Sequence, residues 1–429
     1  MKSRGRGQIM NRDTDRYRQL TRRVLVLGGL KLGLLSTLVG RLYYLQIVDS
    51  QKYTTLADEN RISLRLLAPS RGHIVDRLGV ALAVNQQNYR VVIVSERARD
   101  IEGTLNHLSQ VVPLSEADRR RIAREVQRKR RFVPVTVKEN LSWDQVAMIE
   151  VNNLELPGVS IEVGEIRNYP QGESTAHILG YVGAVSGSEI NGDPVLSLPG
   201  FRIGKAGIEK YHEKELRGVA GTSQLEVNAV GRVIRELSRN EGQPGREVML
   251  TLDVELQKYT QLRLAAERSA AAVIIDVHSG GIYSIASNPS FDPNHFTTGI
   301  SAELWEELLT NPTAPLTNKV IAGQYSPGST FKMVVAMAAL ESGLIAQRHT
   351  VFCPGHLDLG DHRFHCWKSG GHGSVDLTEA IKQSCDTFFY DLARRIGIDR
   401  IFDMAHRFGL GEPTRLDLPD GANATEGEV

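Results

Sequence analysis

The chain has 429 residues, 41% hydrophobic and 24% charged, with a net charge of +1. Such a composition excludes a disordered chain and leaves room for two or three domains, each with its own core. The overall charge balance identifies no partner, and no nucleic acid is expected.

Charge is unevenly placed. Lys2, Arg4, Arg6, Arg12, Arg16, Arg18, Arg22 and Arg23 precede residue 24, against Asp13 and Asp15. Next comes Val24–Gly40, whose one charge is Lys31, extended by the apolar run Leu42–Val48. Together they can cross a hydrocarbon core of roughly 30 Å. Tyr43 and Tyr44 would sit at the far interface. A cleaved signal peptide or a buried helix would also be apolar, but no small-residue cleavage site follows, and Arg41 and Gln46 suit an uncleaved end. The expectation is a basic tail over 1–23, a membrane anchor over 24–46, and the bulk of the chain on the far side, since positive flanks stay inside.

Residues 47–245 read as mixed strands, short helices and turns, a mixed α/β domain. Alternation marks strands at Tyr89–Val94 and Val133–Val137. Ser115 should cap a helix with Asp118 at its third position, running to Arg131. Its arginines could meet an anionic lipid or polymer, although such a run is more often a solvated face. Glu241–Glu247 carries the Gly/Pro signal of a linker. Beyond it, 246–429 opens with a strand over Glu247–Leu252, a helix over Val254–Ser269, and a hairpin of Ala271–Asp276 with Gly281–Ala286, turned by His278-Ser279-Gly280. Helices packed on an antiparallel sheet make this an α+β domain.

Pro327 and Gly328 break the chain just before Ser329-Thr330-Phe331-Lys332, which opens an apolar helix closed by Gly343. Ser329 should lie in the first helical turn, where N–H groups and the dipole favour developing negative charge. Lys332 falls on the same face one turn later. A serine hydroxyl is a weak nucleophile until a neighbour takes its proton. A lysine can take it only where burial or nearby positive charge loosens its own.

The three cysteines follow, Cys353, Cys366 and Cys385, with His372 between the last two and His356, His362 and His365 in the same window. Three Cys and one His can close a tetrahedral structural zinc site. The spacing is not that of a standard finger, so one disulfide with a spare thiol, or three buried thiols, stay open. After a short helix over Asp376–Gln383 comes Ser384-Cys385-Asp386. Ser384 can relay a proton to the leaving group, and Asp386 can hold Lys332 or Ser384 in place.

Ser329-Thr-Phe-Lys332 followed by Ser384-Cys-Asp386 resembles the penicillin-binding protein and serine β-lactamase superfamily. Ser70-Arg-Gly-His-Ile-Val-Asp-Arg-Leu-Gly79, Gly204-Lys-Ala-Gly-Ile-Glu209 and Leu225-Glu-Val-Asn-Ala-Val-Gly-Arg232 resemble the pedestal motifs of class B penicillin-binding proteins, and with the anchor they point to the elongation-specific group. The resemblance implies a dimerisation-like pedestal over 47–245, a transpeptidase domain from 246, and a bacterial inner-membrane protein with its bulk in the periplasm. It also implies D,D-transpeptidation. Ser329 would open the D-Ala–D-Ala bond of a peptidoglycan stem peptide, and an amine from a neighbouring stem, carried on lipid-linked precursor, would resolve the acyl-enzyme. β-Lactams would acylate the same serine, and the Ser329 N–H would form half of the oxyanion hole. Implied partners are the rod-shape glycosyltransferase polymerase and other elongation-complex proteins. No cofactor is required for catalysis. Asp386 stands where asparagine is common in the family.

The superfamily's third motif, K-T-G or K-S-G on a strand, should follow Ser384. Lys205-Ala-Gly207 is too early, and Lys368-Ser-Gly370 precedes Ser384 beside a loop-like Gly371-His-Gly373. After Pro419 the stretch DGANATEGEV is polar and unpatterned, and reads like a truncation or a shifted reading frame. Ending there would expose the partners of missing strands, so poor or no turnover is expected. A catalytically incomplete scaffold of the elongation complex is the alternative function. A β-lactamase is disfavoured by the pedestal, and a penicillin sensor by the lone anchor without signalling domains.

Overall fold

The computed structural model describes residues 7–49, 61–98, 100–198, 200–228, 232–346, 348–414 and 416–419. Lys2, Arg4 and Arg6 of the basic tail and the terminal DGANATEGEV lie outside the described residues. The described residues fall into two compact units, those within 1–67 and 221–242, and those within 68–220 and 243–429.

In the first unit, helix α1 (Gly7–Tyr43) runs into one π-helical turn over Tyr44–Val48. Its Arg23–Val48 stretch, with mean hydropathy 1.5, is long and apolar enough to cross a membrane, and none of it is buried against protein. A helix satisfies all its backbone groups internally, which is what lipid demands. The same unit holds an antiparallel sheet ordered Ile62–Leu67, Gly221–Val227, Val233–Asn240. In the hairpin of its last two strands, Asn228 Oδ1 accepts from Arg232 N at 2.9 Å; residues 229–231 lie outside the described residues.

In the second unit, strands β1 (Ile74–Val75), β2 (Ala81–Ile93), β3 (Val135–Lys138), β4 (Val159–Asn168) and β5 (Val248–Met249) form one sheet. β2 is its spine: it pairs antiparallel with β1, with β3, and with β4 along 84–93 against 159–168. Helices α2 (Ile101–Val111), α3 (Glu116–Arg128) and α4 (Trp143–Val151) cover its outer end, where Val91, Ile93, Leu108, Ile122, Val135 and Ile149 are buried together. Ser115 and Asp118 form the expected capping box on α3. That helix ends at Arg128 rather than Arg131: Lys129 turns extended at φ −88° and ψ 154°, and the Arg131 carbonyl accepts Glu96 N at 2.9 Å and Ser95 Oγ at 3.2 Å.

Two distant pedestal-like motifs meet inside this unit. Arg71 reaches Glu209 Oε2 at 2.6 Å and Glu213 at 2.7 Å, while Arg167 binds the other Glu209 oxygen at 2.7 Å. Glu209 is fully buried, so it is tolerable only as a charge paired on both oxygens. Gly72 must be glycine here, since a Cβ would meet Arg246 O at 1.9 Å. Asp76 of the same motif accepts from Leu78 N, Val80 N and Val254 N, which fastens the motif to the start of α5 (Val254–Leu264). Antiparallel strands β6 (Ala270–Ile275) and β7 (Ile282–Asn288) follow. The expected strand at 247–252 shrinks to β5, and the helix at 254–269 stops at Leu264.

The last part is mostly helical. Helix α6 (Lys332–Glu341) packs with α7 (Leu377–Lys382), α8 (Asp386–Ile396) and α9 (Ile398–Arg407) around Val334, Ala339, Phe388, Leu392 and Ile396. Between α6 and α7 lie the strand pair Val351–Cys353 with Gly373–Val375 and the hairpin His356–Leu359 with His362–His365.

Candidate acyl-transfer site and cysteine cluster

Gly328–Phe331 forms a 3-10 turn leading into α6, so Ser329 stands exposed at the helix entry and Lys332 is the first α-helical residue. From the other side, α7 ends and α8 begins across Ser384-Cys385. Cys385 N donates to Ala380 O at 2.8 Å, and Ser384 takes φ +51° between them. A left-handed non-glycine residue carries strain and persists only where its surroundings hold it.

The turn brings the predicted residues together. Ser329 Oγ and Ser384 Oγ are 2.8 Å apart. Lys332 Nζ donates to Ser384 Oγ at 2.9 Å, Ser384 O at 2.9 Å and Asp386 Oδ1 at 2.6 Å. Ser384 Oγ therefore lies between the Ser329 hydroxyl and the Lys332 amine. Asp386 opens α8, where the dipole favours a carboxylate. Burial alone would raise its pKa, but the Lys332 ammonium and the Trp367 backbone N–H outweigh burial and hold it below the usual carboxylate range.

Trp367 escaped sequence reasoning. Its N–H donates to Asp386 Oδ2 and its indole Nε1–H to Gln383 O, both at 3.0 Å. The only available signal was its place next to Cys366. Neither lysine of the third-motif lookalikes lies on a strand. Lys205 pairs with Glu189 at 2.5 Å, and Lys368 sits exposed in a turn whose carbonyl accepts Gly371 N at 3.0 Å.

Cys353, Cys366, His372 and Cys385 converge behind the site, with one ligand atom from each lying within 4.8 Å of the others. All three cysteines are free thiols. His372 Nδ1 is 3.6 Å from both Cys353 Sγ and Cys366 Sγ. Tetrahedral legs of about 2.3 Å to sulfur and about 2.1 Å to nitrogen give an S···N edge of about 3.6 Å, so these two edges match a zinc site in size and the four donors match it in chemistry. Burial opposes ionisation of Cys353, yet Thr387 and His372 beside it draw the thiol down to about 6. Burial, with the neighbouring sulfurs, pushes Cys385 up to about 12.

Comparison with known proteins agrees with this layout. Residues 66–250 match the penicillin-binding protein dimerisation domain, and residues 270–427 the penicillin-binding protein transpeptidase domain. The chain is 40% identical over 394 residues to peptidoglycan D,D-transpeptidase MrdA of Escherichia coli K12, covering 90% of this chain and 62% of that relative. A solved complex of penicillin-binding protein PBP2 with MreC from Helicobacter pylori superposes with a TM-score of 0.72 at 28% identity, over 83% of this chain and 67% of that one. PBP2 of Pseudomonas aeruginosa bound to WCK 5153 superposes with a TM-score of 0.56 at 30% identity, over 83% and 59%.

Proposed function

The chain belongs to the penicillin-binding protein family, and from that premise we propose that it is a peptidoglycan D,D-transpeptidase working through a Ser329 acyl-enzyme. One observation carries the proposal: Ser329 Oγ, Ser384 Oγ and Lys332 Nζ form a continuous chain with links of 2.8 and 2.9 Å. Beside Asp386 the resting lysine is an ammonium that donates to all three acceptors. The reacting form is the amine left once that proton has passed to solvent, whose two N–H bonds still serve Ser384 O and Asp386 and whose lone pair faces Ser384 Oγ. Ser329 then passes its proton to Ser384 as Ser384 passes its own to Lys332, and the freed oxygen attacks the penultimate D-Ala carbonyl. The carbonyl C–N bond breaks, D-alanine leaves with a proton returned along the same chain, and an acceptor amine from a second stem peptide resolves the ester. A non-catalytic scaffold has no use for such an arrangement, which favours the catalytic reading.

The chain spans 62% of the Escherichia coli relative, so this activity is proposed for the protein to which these residues belong. The same reading assigns residues 24–46 to an inner-membrane anchor, 47–245 to a periplasmic pedestal and 246–429 to the transpeptidase domain. MreC, which the Helicobacter pylori protein binds, makes an elongation-complex protein of that kind the first partner to test, with the glycosyltransferase polymerase second. A structural zinc on Cys353, Cys366, His372 and Cys385 would tie the 351–375 segment to the Ser384 turn, leaving the acyl chemistry to the serines and lysine. Labelling membranes that carry the protein with a fluorescent penicillin tests the function. The native protein should label and Ser329→Ala should not; equal labelling of both would reject the proposal.

A further inference from the structure

Trp367 projects from the loop between the His362–His365 strand and the Gly373–Val375 strand. It grips the Ser384 turn on both sides. Its indole Nε1–H holds the carbonyl of Gln383, and its backbone N–H holds Asp386 Oδ2. The Gln383 carbonyl belongs to the peptide plane that ends at Ser384 N. Holding that plane restrains rotation about the Ser384 N–Cα bond, which is the φ angle found at +51°. A residue strained in this way relaxes unless neighbours prevent it. The backbone bonds of Ser384 and Cys385 to Ile381 and Ala380 close the helix end, and Lys332 binds Ser384 O. Among the described residues, the indole bond alone restrains the preceding peptide plane from outside this helical segment. The ring also lies edge-on to His372, with centroids 5.4 Å apart, so one side chain touches both the cysteine cluster and the serine turn. Yet Trp367 is 66% exposed, and little of its surface is committed to a core.

We propose that Trp367 is a positioning residue for acyl transfer: its indole N–H keeps Ser384 in the left-handed conformation that places Ser384 Oγ between Ser329 and Lys332. The proposal rests on the Ser329 acyl-enzyme reading. Without the indole bond the turn spends more time relaxed, with Ser384 Oγ displaced from one neighbour or the other. The proton path then opens while the substrate pocket and the helices stay as they were.

The test measures acylation by a chromogenic cephalosporin in the full membrane-anchored protein. The rate is followed against cephalosporin concentration for the native protein, for Trp367→Phe, and for a protein carrying 3-benzothienylalanine at 367, which exchanges the N–H for sulfur in the same bicyclic shape. The expected result is a maximal acylation rate lowered by about fivefold in both, the size of one neutral hydrogen bond. The half-saturating concentration and the melting temperature should be unchanged. A merely structural role would lower the melting temperature and the active fraction, leaving the rate per active site alone; that outcome, or native rates in both proteins, would overturn the inference. If the native protein shows no Ser329-dependent acylation, the underlying functional reading falls, and this inference with it.

Discussion

Lys332 and His177 show how differently two basic side chains are held in this molecule. Lys332 is met by a carboxylate, a carbonyl and a hydroxyl. His177 is met by Pro315 O at 2.8 Å and by Ser290 Oγ at 3.4 Å, with no carboxylate among these contacts. Burial, with a smaller contribution from Lys319, lowers the His177 pKa from 6.5 to about 4. The folded state therefore binds this proton less readily than the unfolded state. Its contribution to stability is complete above the unfolded value near pH 6.5 and is lost as pH falls to about 4. At most about 3 kcal/mol is at stake, less whatever solvent screens. Thermal melts of native protein and His177→Gln should converge as pH drops from 7 to 4; parallel curves would show that His177 does not titrate in that window.

Among the elements, the segment between α6 and α7 is decided by side-chain chemistry more than by pattern. Gly371, at φ +75°, lies so close to Cys353 O that a Cβ would be 2.2 Å away. That close approach folds His372 onto the two thiols. A structural zinc here predicts about one zinc per chain in purified native protein and none in Cys353→Ser. Elemental analysis decides it, and a native protein free of zinc with three titratable thiols would end the metal reading. Legibility follows the range of the interaction that decides each element. The Ser115–Asp118 capping box and the β6–β7 hairpin are local, and were readable in residue spacing. Beyond the end of α3 the Arg131 carbonyl accepts from Glu96 N, a contact across the fold that spacing does not carry. Ser329, Lys332, Ser384 and Asp386 could be named from their motifs. The bridging place of Ser384 could not, because it depends on a strained angle and on a tryptophan with no motif of its own.

In the molecule as a whole, the larger unit is fastened by ionic contacts between segments far apart in sequence. Glu209, Arg71 and Arg167 come from three such segments and are all nearly or fully enclosed. Removing the carboxylate leaves the buried Arg167 without its acidic partner, while Arg71 keeps Glu213, and Glu209→Ala should destabilise this unit by about 3–5 kcal/mol. Denaturant unfolding measures it, and a loss under 1 kcal/mol would mean that solvent or other groups compensate. The central proposal concerns a different pair, two serine oxygens 2.8 Å apart, assigning one as nucleophile and the other as its bridge. Mass mapping of the penicilloyl adduct after proteolysis distinguishes them directly. The geometry predicts the adduct on Ser329, at the entry of α6; an adduct on Ser384 would reverse the assigned roles and contradict the account.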